Sequence, residues 1–314
     1  MRAMIVYGRG MDVNIRQLYH ECKRQMDEVV LARIMDLSAY VGPDGDRFWH
    51  GYRQLKPIDI RFVRSLGSGT HEQITRRLSL LEHMEKTGTL VVNPVRAIRT
   101  ARDKYATMVA LAKAGLPVPP SYVTEMAHWA YRKTGHLKQV VYKPIMGSLG
   151  FGSMKFDNKD MAFNAYMTLE RTGQPLLIQE YIGREENQPI RDVRAFVIGD
   201  KVVAAMERTA QPGQWKTNID QGAKPRAIKL TGELENLALK AAQTLGLVYA
   251  GIDILQTKEK PIILEANATP NWQSIQAVSK QNIARQITKH MSRTHQRKQR
   301  NRVDSNSNTI SYRA

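Results

Sequence analysis

The sequence predicts a chain of mixed α/β and α+β class: a small, mostly parallel α/β lobe, then two regions built on antiparallel sheets. Three observations carry this. Over residues 1–95, short apolar runs alternate with helical stretches, the pattern of a parallel sheet with crossover helices. From residue 140 on, apolar runs pair around short polar turns, as hairpins do. Between them, Leu116 to Pro120 (LPVPP) forces an extended linker.

The elements follow in order. Residues 3–7 (AMIVY) read as a first strand that meets a turn at Gly8–Gly10, and a helix covers 13–26. Val29–Asp36 is a second strand; after the turn residues Gly42, Pro43 and Gly45 comes a hairpin-like stretch near Phe48–Leu55. Ile58–Val63 is a strand, 71–87 a helix, and Leu90–Val92 a short strand before Asn93-Pro94. A helix over 100–114 ends at Gly115. Val140–Lys143 and Met154–Phe156 flank a glycine-rich loop, a helix covers 158–172, and Leu176–Ile182 is a strand. Val193–Ile198 and Lys201–Glu207 form a hairpin about Gly199-Asp200, with Ile198 opposite Lys201, Arg194 opposite Ala205 and Asp192 opposite Glu207. A helix over 231–245, a hairpin of 248–256 with 261–266, and a helix over 275–291 complete the fold. From residue 293 the chain is polar without an apolar period, which predicts a disordered, basic tail. The domains expected are 1–95, 96–182 with the glycine-rich flap, 183–292, and the tail 293–314.

Composition excludes some classes. With 314 residues and 42% hydrophobic content, the chain can bury a sizeable core in two or three lobes. No run of about 18 apolar residues exists, so no membrane span is expected. MRAMIVYGRG reads as a strand, too short in its apolar core for a signal peptide. The single cysteine, Cys22, cannot form an internal disulfide; a cytoplasmic setting is expected, and no role is assigned to that thiol. The formal charge of +18 includes six Lys/Arg and no acid between Lys289 and Arg302. Two readings of this surplus stand: an anionic partner, for the tail above all, or a plainly solvated basic surface.

Two constellations carry chemistry. In G251-I-D253-I-L and L264-E265-A-N267, Glu265 and Asn267 leave the same strand face. Pairing Gln256 with Ile262 across the turn places Asp253 opposite Glu265, so three oxygen-bearing side chains converge. Opposed carboxylates repel unless a cation lies between them, and a hard ion such as Mg²⁺ suits these ligands. The alternative is a pair of surface carboxylates on an amphipathic hairpin. The second constellation is V140-V-Y-K143-P-I-M-G147-S148-L-G150-F-G152. Lys143 can reach a phosphate, and the glycines let main-chain N–H groups approach its oxygens. An ordinary flexible turn reads equally well, and Lys104 alone is a solvated helix lysine. Strand L176-L-I-Q179-E180-Y181-I182 can present main-chain groups to a purine edge or serve as plain core. Arg194 and Arg208 suit bidentate capture of a carboxylate or acyl phosphate, with small Ala205 leaving room beside Arg194; the rival is a salt bridge from Arg194 to Asp192 or Glu207.

Taken together these stretches resemble the ATP-grasp superfamily, and within it the RimK-type α-L-glutamate ligases with their lysine-biosynthesis and tetrahydromethanopterin-type relatives. The resemblance rests on NPVRAIRTARDKYATMVALAKAGLPVP, VVYKPIMGSLGFG, LIQEYI, DVRAFVIGDKVVAAMERTA, WKTN, AGIDIL and ILEANATPNW, in family order over about three quarters of the chain. It implies an ATP-grasp fold with ATP held between two antiparallel sheets. Lys104, Lys143, Gly147, Ser148, Gly150 and Gly152 would hold phosphates, and Gln179, Glu180, Tyr181 and Ile182 would form the adenine hinge. Asp253, Glu265 and Asn267 would ligate Mg²⁺ or Mn²⁺, two ions in all. Arg194, Arg208 and Asn218 would hold acyl phosphate and substrate, Asn218 counted among the nucleotide-binding set. The implied activity is ATP-dependent joining of a small-molecule or peptide carboxylate to an amino acid such as glutamate, by a homo-oligomer, with no His, Ser or Cys nucleophile; His20, His71 and the other histidines are read as structural or surface residues. Alternatives are modification of a protein C-terminus, or nucleotide binding without catalysis. Two departures fall where substrate would sit: N218-I-D-Q-G222-A223 replaces a basic residue and paired glycines, and loop 183–192 is longer than usual.

Overall fold

The computed structural model describes the backbone of residues 1–137, 139–147, 150–183 and 189–310, and side chains as far as residue 301. The chain forms two compact units: one of residues 1–95, 271–276 and 281 onward, the other of 96–270 and 277–280. Among the described residues, no helix is long and apolar enough to cross a membrane.

The first unit opens with β1 (Arg2–Tyr7), α1 (Val13–Gln25), β2 (Glu28–Arg33), β3 (Leu37–Tyr40), β4 (Arg47–His50), β5 (Arg53–Gln54), β6 (Ile60–Val63), α2 (His71–Lys86) and β7 (Leu90–Val92). A parallel sheet runs β2-β1-β6-β7, and β3-β4-β5 form a small antiparallel one. Ala3 to Val6 are all buried, as a parallel strand covered on both faces requires. Asp12 starts α1 by accepting the Ile15 N–H at 2.8 Å, and Thr70 with Gln73 closes a capping box on α2. The second strand ends at Arg33, short of the predicted Asp36, because Asp36 accepts from Arg33 Nε at 2.7 Å and closes a 3₁₀ turn.

The second unit is entered through α3 (Val95–Arg102) and α4 (Lys104–Lys113), which the Asp103 cap separates. Then come β8 (Ser121–Thr124), α5 (Ala127–Thr134), β9 (Val140–Lys143), β10 (Met154–Phe156), α6 (Lys159–Arg171) and β11 (Leu176–Glu180). Their sheet runs β10-β9-β11-β8 over a core of Tyr142, Tyr166, Leu176 and Ile178. A five-stranded antiparallel sheet follows: β12 (Arg191–Ile198), β13 (Lys201–Thr209), β14 (Lys224–Ala227), β15 (Tyr249–Leu255) and β16 (Ile262–Asn267), ordered β14-β13-β12-β15-β16, with α7 (Gly232–Thr244) preceding β15. Every residue of β15 is buried.

Two bulges correct the predicted registers. Ile198 does face Lys201, but the pairing shifts between Phe196 and Val197, so Arg194 faces Met206 and Asp192 faces Arg208; Ala205 lies opposite Ala195. In the other hairpin Leu255, not Gln256, faces Ile262, and a shift after Asp253 restores Asp253 to its place opposite Glu265.

The chain closes with α8 (Gln273–Ser279) and α9 (Ile283–Ile310). This overturns two expectations. Residues 281 onward belong to the first unit, and 293–310 are helical rather than disordered. Ile283, Ile287 and Met291 bury at four-residue spacing and begin the helix, capped by Asn282. Arg, Lys and Gln then continue it readily. Thr288 accepts from Gln25 Nε2 at 2.7 Å, and Lys298 Nζ donates to Gly88 O at 3.3 Å, tying α9 down at two points ten residues apart.

Candidate active site

Between the two sheets of the second unit lies a cleft of about 970 Å³, its open mouth included. Twelve of the residues singled out from the sequence line it: Lys104, Lys143, Gly147, Gly150, Gln179 and Glu180, together with Tyr181, Ile182, Arg208, Asn218, Asp253 and Glu265. Gly152, Arg194 and Asn267 are not part of that lining, and Ser148 lies outside the described residues.

One wall carries lysines. Lys104, the first residue of α4, donates to Gly147 O at 2.8 Å and stands 3.6 Å from Glu265 Oε1. Lys143 ends β9 and donates to Gln179 Oε1 at 2.6 Å; Gln179 Nε2 in turn donates to Ser121 Oγ at 2.9 Å. The Gln179 side chain, expected at an adenine hinge, thus aims the lysine. Burial pushes the Lys143 ammonium below its ordinary range, and Lys104 adds to this against the pull of Glu265 and Asp253. Along the hinge, the Glu180 N–H is bonded to Pro120 O and that of Tyr181 to Gln139 O, both at 2.8 Å.

The facing wall carries arginines already matched with carboxylates. Arg194 Nε and Nη2 each donate to Asp253 at 2.6 Å, and Arg208 Nη2 stands 3.0 Å from the same carboxylate. Arg208 also makes a bidentate pair with Asp192, and Thr217 Oγ1 donates to Asp192 at 2.7 Å. Arg208, Asp192 and Asp253 are all less than 5% exposed. Burial alone would raise the Asp253 carboxyl; Arg194 and Arg208 outweigh it and hold the group below its usual range. The predicted rival for Arg194 therefore holds in kind, with Asp253 as the partner instead of Asp192 or Glu207. The bulge that moved Arg208 opposite Asp192 produces the buried pair.

Asp253 and Glu265 face one another, and Asn267 pairs with Gly251 one step along the same strand face. The donor set is all oxygen, as a hard divalent ion requires. Asp253 already accepts three guanidinium N–H groups, and a carboxylate offers about four lone-pair positions, so one direction stays available to a cation.

Sequence reasoning passed over Trp215 and Lys216 and weighed Asp192 only as a salt-bridge partner of Arg194; all three line the cleft. Lys216 Nζ donates to Gly150 O at 2.9 Å, so Lys104 and Lys216 clasp the two ends of the described flap. Gly150 has φ +72°, a conformation that strains an L side chain, and a Cβ there would lie 2.5 Å from Asn218 Oδ1, so glycine suits this close approach. Trp215 packs edge-on to Tyr181 at 6.1 Å. The signal was present in the run WKTN, of which only Asn218 was taken.

A profile of the RimK-like ATP-grasp domain matches residues 101–291. The chain belongs to the RimK-like ATP-grasp family. Among relatives of this RimK-like chain, a tetrahydromethanopterin:alpha-L-glutamate ligase of Methanococcus maripaludis is 31% identical over 243 residues, covering 77% of this chain and 81% of that protein. A probable alpha-L-glutamate ligase of Haemophilus influenzae is 34% identical over 210 residues, 67% and 68% of the two chains. Among solved structures, the ATP-grasp ligase PsnB complexed with minimal precursor superposes with a TM-score of 0.72 at 22% identity, over 92% of this chain and 98% of that one, and shows the shared fold. The protein is accordingly an ATP-dependent carboxylate–amine ligase, and ATP and magnesium are the cofactors of such RimK-like enzymes.

Proposed function

We propose that this ligase adds glutamate to a small-molecule or peptide carboxylate through an acyl phosphate. The observation that carries the proposal is the meeting of the Lys104 and Lys143 ammonium groups with the Asp253 and Glu265 carboxylates in one cleft. Lys104 and Lys143 grip the phosphates of ATP, and the flap glycines Gly147, Gly150 and Gly152 bring N–H groups over them. The Ile182 N–H, with no main-chain bond to another described residue, offers a donor to the purine edge. Asp253, Glu265 and Asn267 would hold magnesium, two ions in all, which when bound would neutralise phosphate charge during transfer.

A carboxylate oxygen of the substrate attacks the γ-phosphorus, ADP leaves, and the acyl carbon becomes open to an amine. The unprotonated amine nitrogen forms the C–N bond as inorganic phosphate departs with the C–O electron pair, and the nitrogen's surplus proton goes to the departing phosphate. Arg208, in the cleft lining, stabilises the oxyanion of the tetrahedral stage. Arg194 acts through Asp253 as a positioning residue. Closure of the Lys216 and Lys104 clasp keeps water from the acyl phosphate.

The test is ADP release measured with a panel of carboxylates, with and without glutamate, followed by mass spectrometry of the products. Glutamate-dependent ADP release with a product heavier by one or more glutamyl residues is expected. ADP release that no amino acid stimulates, on any carboxylate tried, would sink the proposal.

A further inference from the structure

The first unit holds a second cavity, of about 1090 Å³ with its open mouth, that the ligase chemistry leaves unused. It lies at the amino ends of β6 and β7, bounded by the β4–β5 strands and by α9. At its floor is Arg61, 2% exposed. Its Nη1 donates to Thr89 Oγ1, its guanidinium lies 5.9 Å from the Phe48 ring centre, and its Nε is buried with no hydrogen-bond partner. Among the described residues no carboxylate pairs with it. The two acids of the cavity are turned to other groups: Asp46 faces His83 at 3.0 Å, and Asp59 accepts the Arg2 N–H at 2.7 Å. Around the rim stand three further cations, Arg47, Lys56 and Lys298.

An unpaired buried guanidinium is expensive, since its desolvation is repaid only by a matched anion. Arg194 and Arg208 of the same chain are matched; Arg61 is not. Burial pushes its guanidinium down to about 10, with no acid to oppose it. Arg77, also buried without an acid among the described residues, is satisfied by the Leu66 and Ser68 carbonyls, whereas Arg61 keeps an unpartnered Nε at the floor of a positively rimmed cavity, which fits a ligand that brings the acid. We propose that this cavity binds a small anionic molecule, with a carboxylate or phosphate group seated on Arg61 and the rim cations around it. The part of α9 beyond residue 293, which the sequence placed in a disordered tail, supplies Lys298 and His295 to the cavity wall. The site is thus complete only when the closing helix is docked on the first unit.

The test is thermal shift and isothermal titration of the full chain, with ADP and Mg²⁺ saturating so that added anion does not read out on the ATP cleft. Inorganic phosphate and citrate are titrated separately; whichever binds more tightly names the class. The wild type should show a saturable response to at least one. Arg61→Met should weaken it at least about tenfold, the value of a charge-assisted hydrogen bond, and without anion should melt no lower than wild type. Lys298→Ala and Lys56→Ala, at the rim, leave the core intact and should each weaken binding about threefold. The proposal is overturned if neither probe gives a saturable response in the wild type, or if Arg61→Met responds as the wild type does. Should Arg61→Met fail to fold, unchanged affinity in both rim variants overturns it instead.

Discussion

The two walls of the ATP cleft both present cations, and they satisfy them differently. Lys104, Lys143 and Lys216 donate to neutral oxygens, Gly147 O, Gln179 Oε1 and Gly150 O, with the Glu265 carboxylate 3.6 Å from Lys104 as the one acid paired with them among the described residues. Arg194 and Arg208 are locked to the carboxylates of Asp192 and Asp253. A neutral oxygen holds an ammonium weakly enough to release it to a phosphate, whereas a bidentate carboxylate does not. The lysine wall is therefore exchangeable and the arginine wall preset. The first waits for a ligand, and the second fixes the geometry into which the ligand must fit.

The sharpest way to break this contrast is to remove an acid from the arginine wall. Asp192→Ala leaves Arg208 buried with half its partners gone, and should cost about 3–5 kcal/mol of stability in denaturant unfolding. Adding Arg208→Met should restore more than half of that loss, since the pair is then absent rather than broken. If the single variant unfolds at the wild-type midpoint, the wall is not preset.

The lysine wall should respond in the opposite manner. Lys143→Met is expected to raise KM for ATP by about 10–100-fold, the worth of a charge-assisted hydrogen bond to phosphate. Its unfolding midpoint should stay level or rise, because a desolvated ammonium is replaced by an apolar chain of similar length. A fall in stability as large as that of Asp192→Ala would erase the distinction.

How far each wall could be read in the sequence follows the same line. Lys143 at a strand end, Lys104 at a helix start, the loop glycines and the Asp253–Glu265–Asn267 set on one hairpin face are all positions that local pattern marks, and most of them line the cleft. The Asp192–Arg208 pair was hidden, because β13 reads Lys-Val-Val-Ala-Ala-Met and its apolar run tolerates either register. A bulge after Phe196 decides it, and no glycine or proline announces that bulge. The helical course of 293–310 was hidden for another reason: its anchors, Lys298 on Gly88 O and Gln25 on Thr288, are tertiary and leave no apolar period beyond Met291.

Gln179→Glu converts the lysine wall to the arginine kind. The new carboxylate would hold Lys143 as an ion pair, raise its lowered proton affinity, and compete with the incoming phosphate. KM for ATP should rise about fivefold, less than on deleting the lysine, since the ammonium remains and must only be released. Gln179→Leu separates the effects, for it removes the aim of Lys143 without trapping it. If Gln179→Glu binds ATP as well as the wild type does, release of the lysine is not what ATP binding requires.

The smallest effect expected is on pH dependence. Burial holds Lys143 and Lys216 below the ordinary lysine range, so both lose their charge at lower pH than exposed lysines do. The phosphate-binding form is the protonated one. Binding is therefore complete below those lowered values and weakens as pH climbs through them, which appears as a rising KM for ATP on the alkaline side while glutamate-saturated kcat moves less. Arginine stays charged throughout, so Lys143→Arg should flatten most of the alkaline limb and leave the share that Lys216 contributes. Lys143→Arg with Lys216→Arg should remove that remainder, and an alkaline limb that persists in the double variant would assign the titration to a group outside the lysine wall.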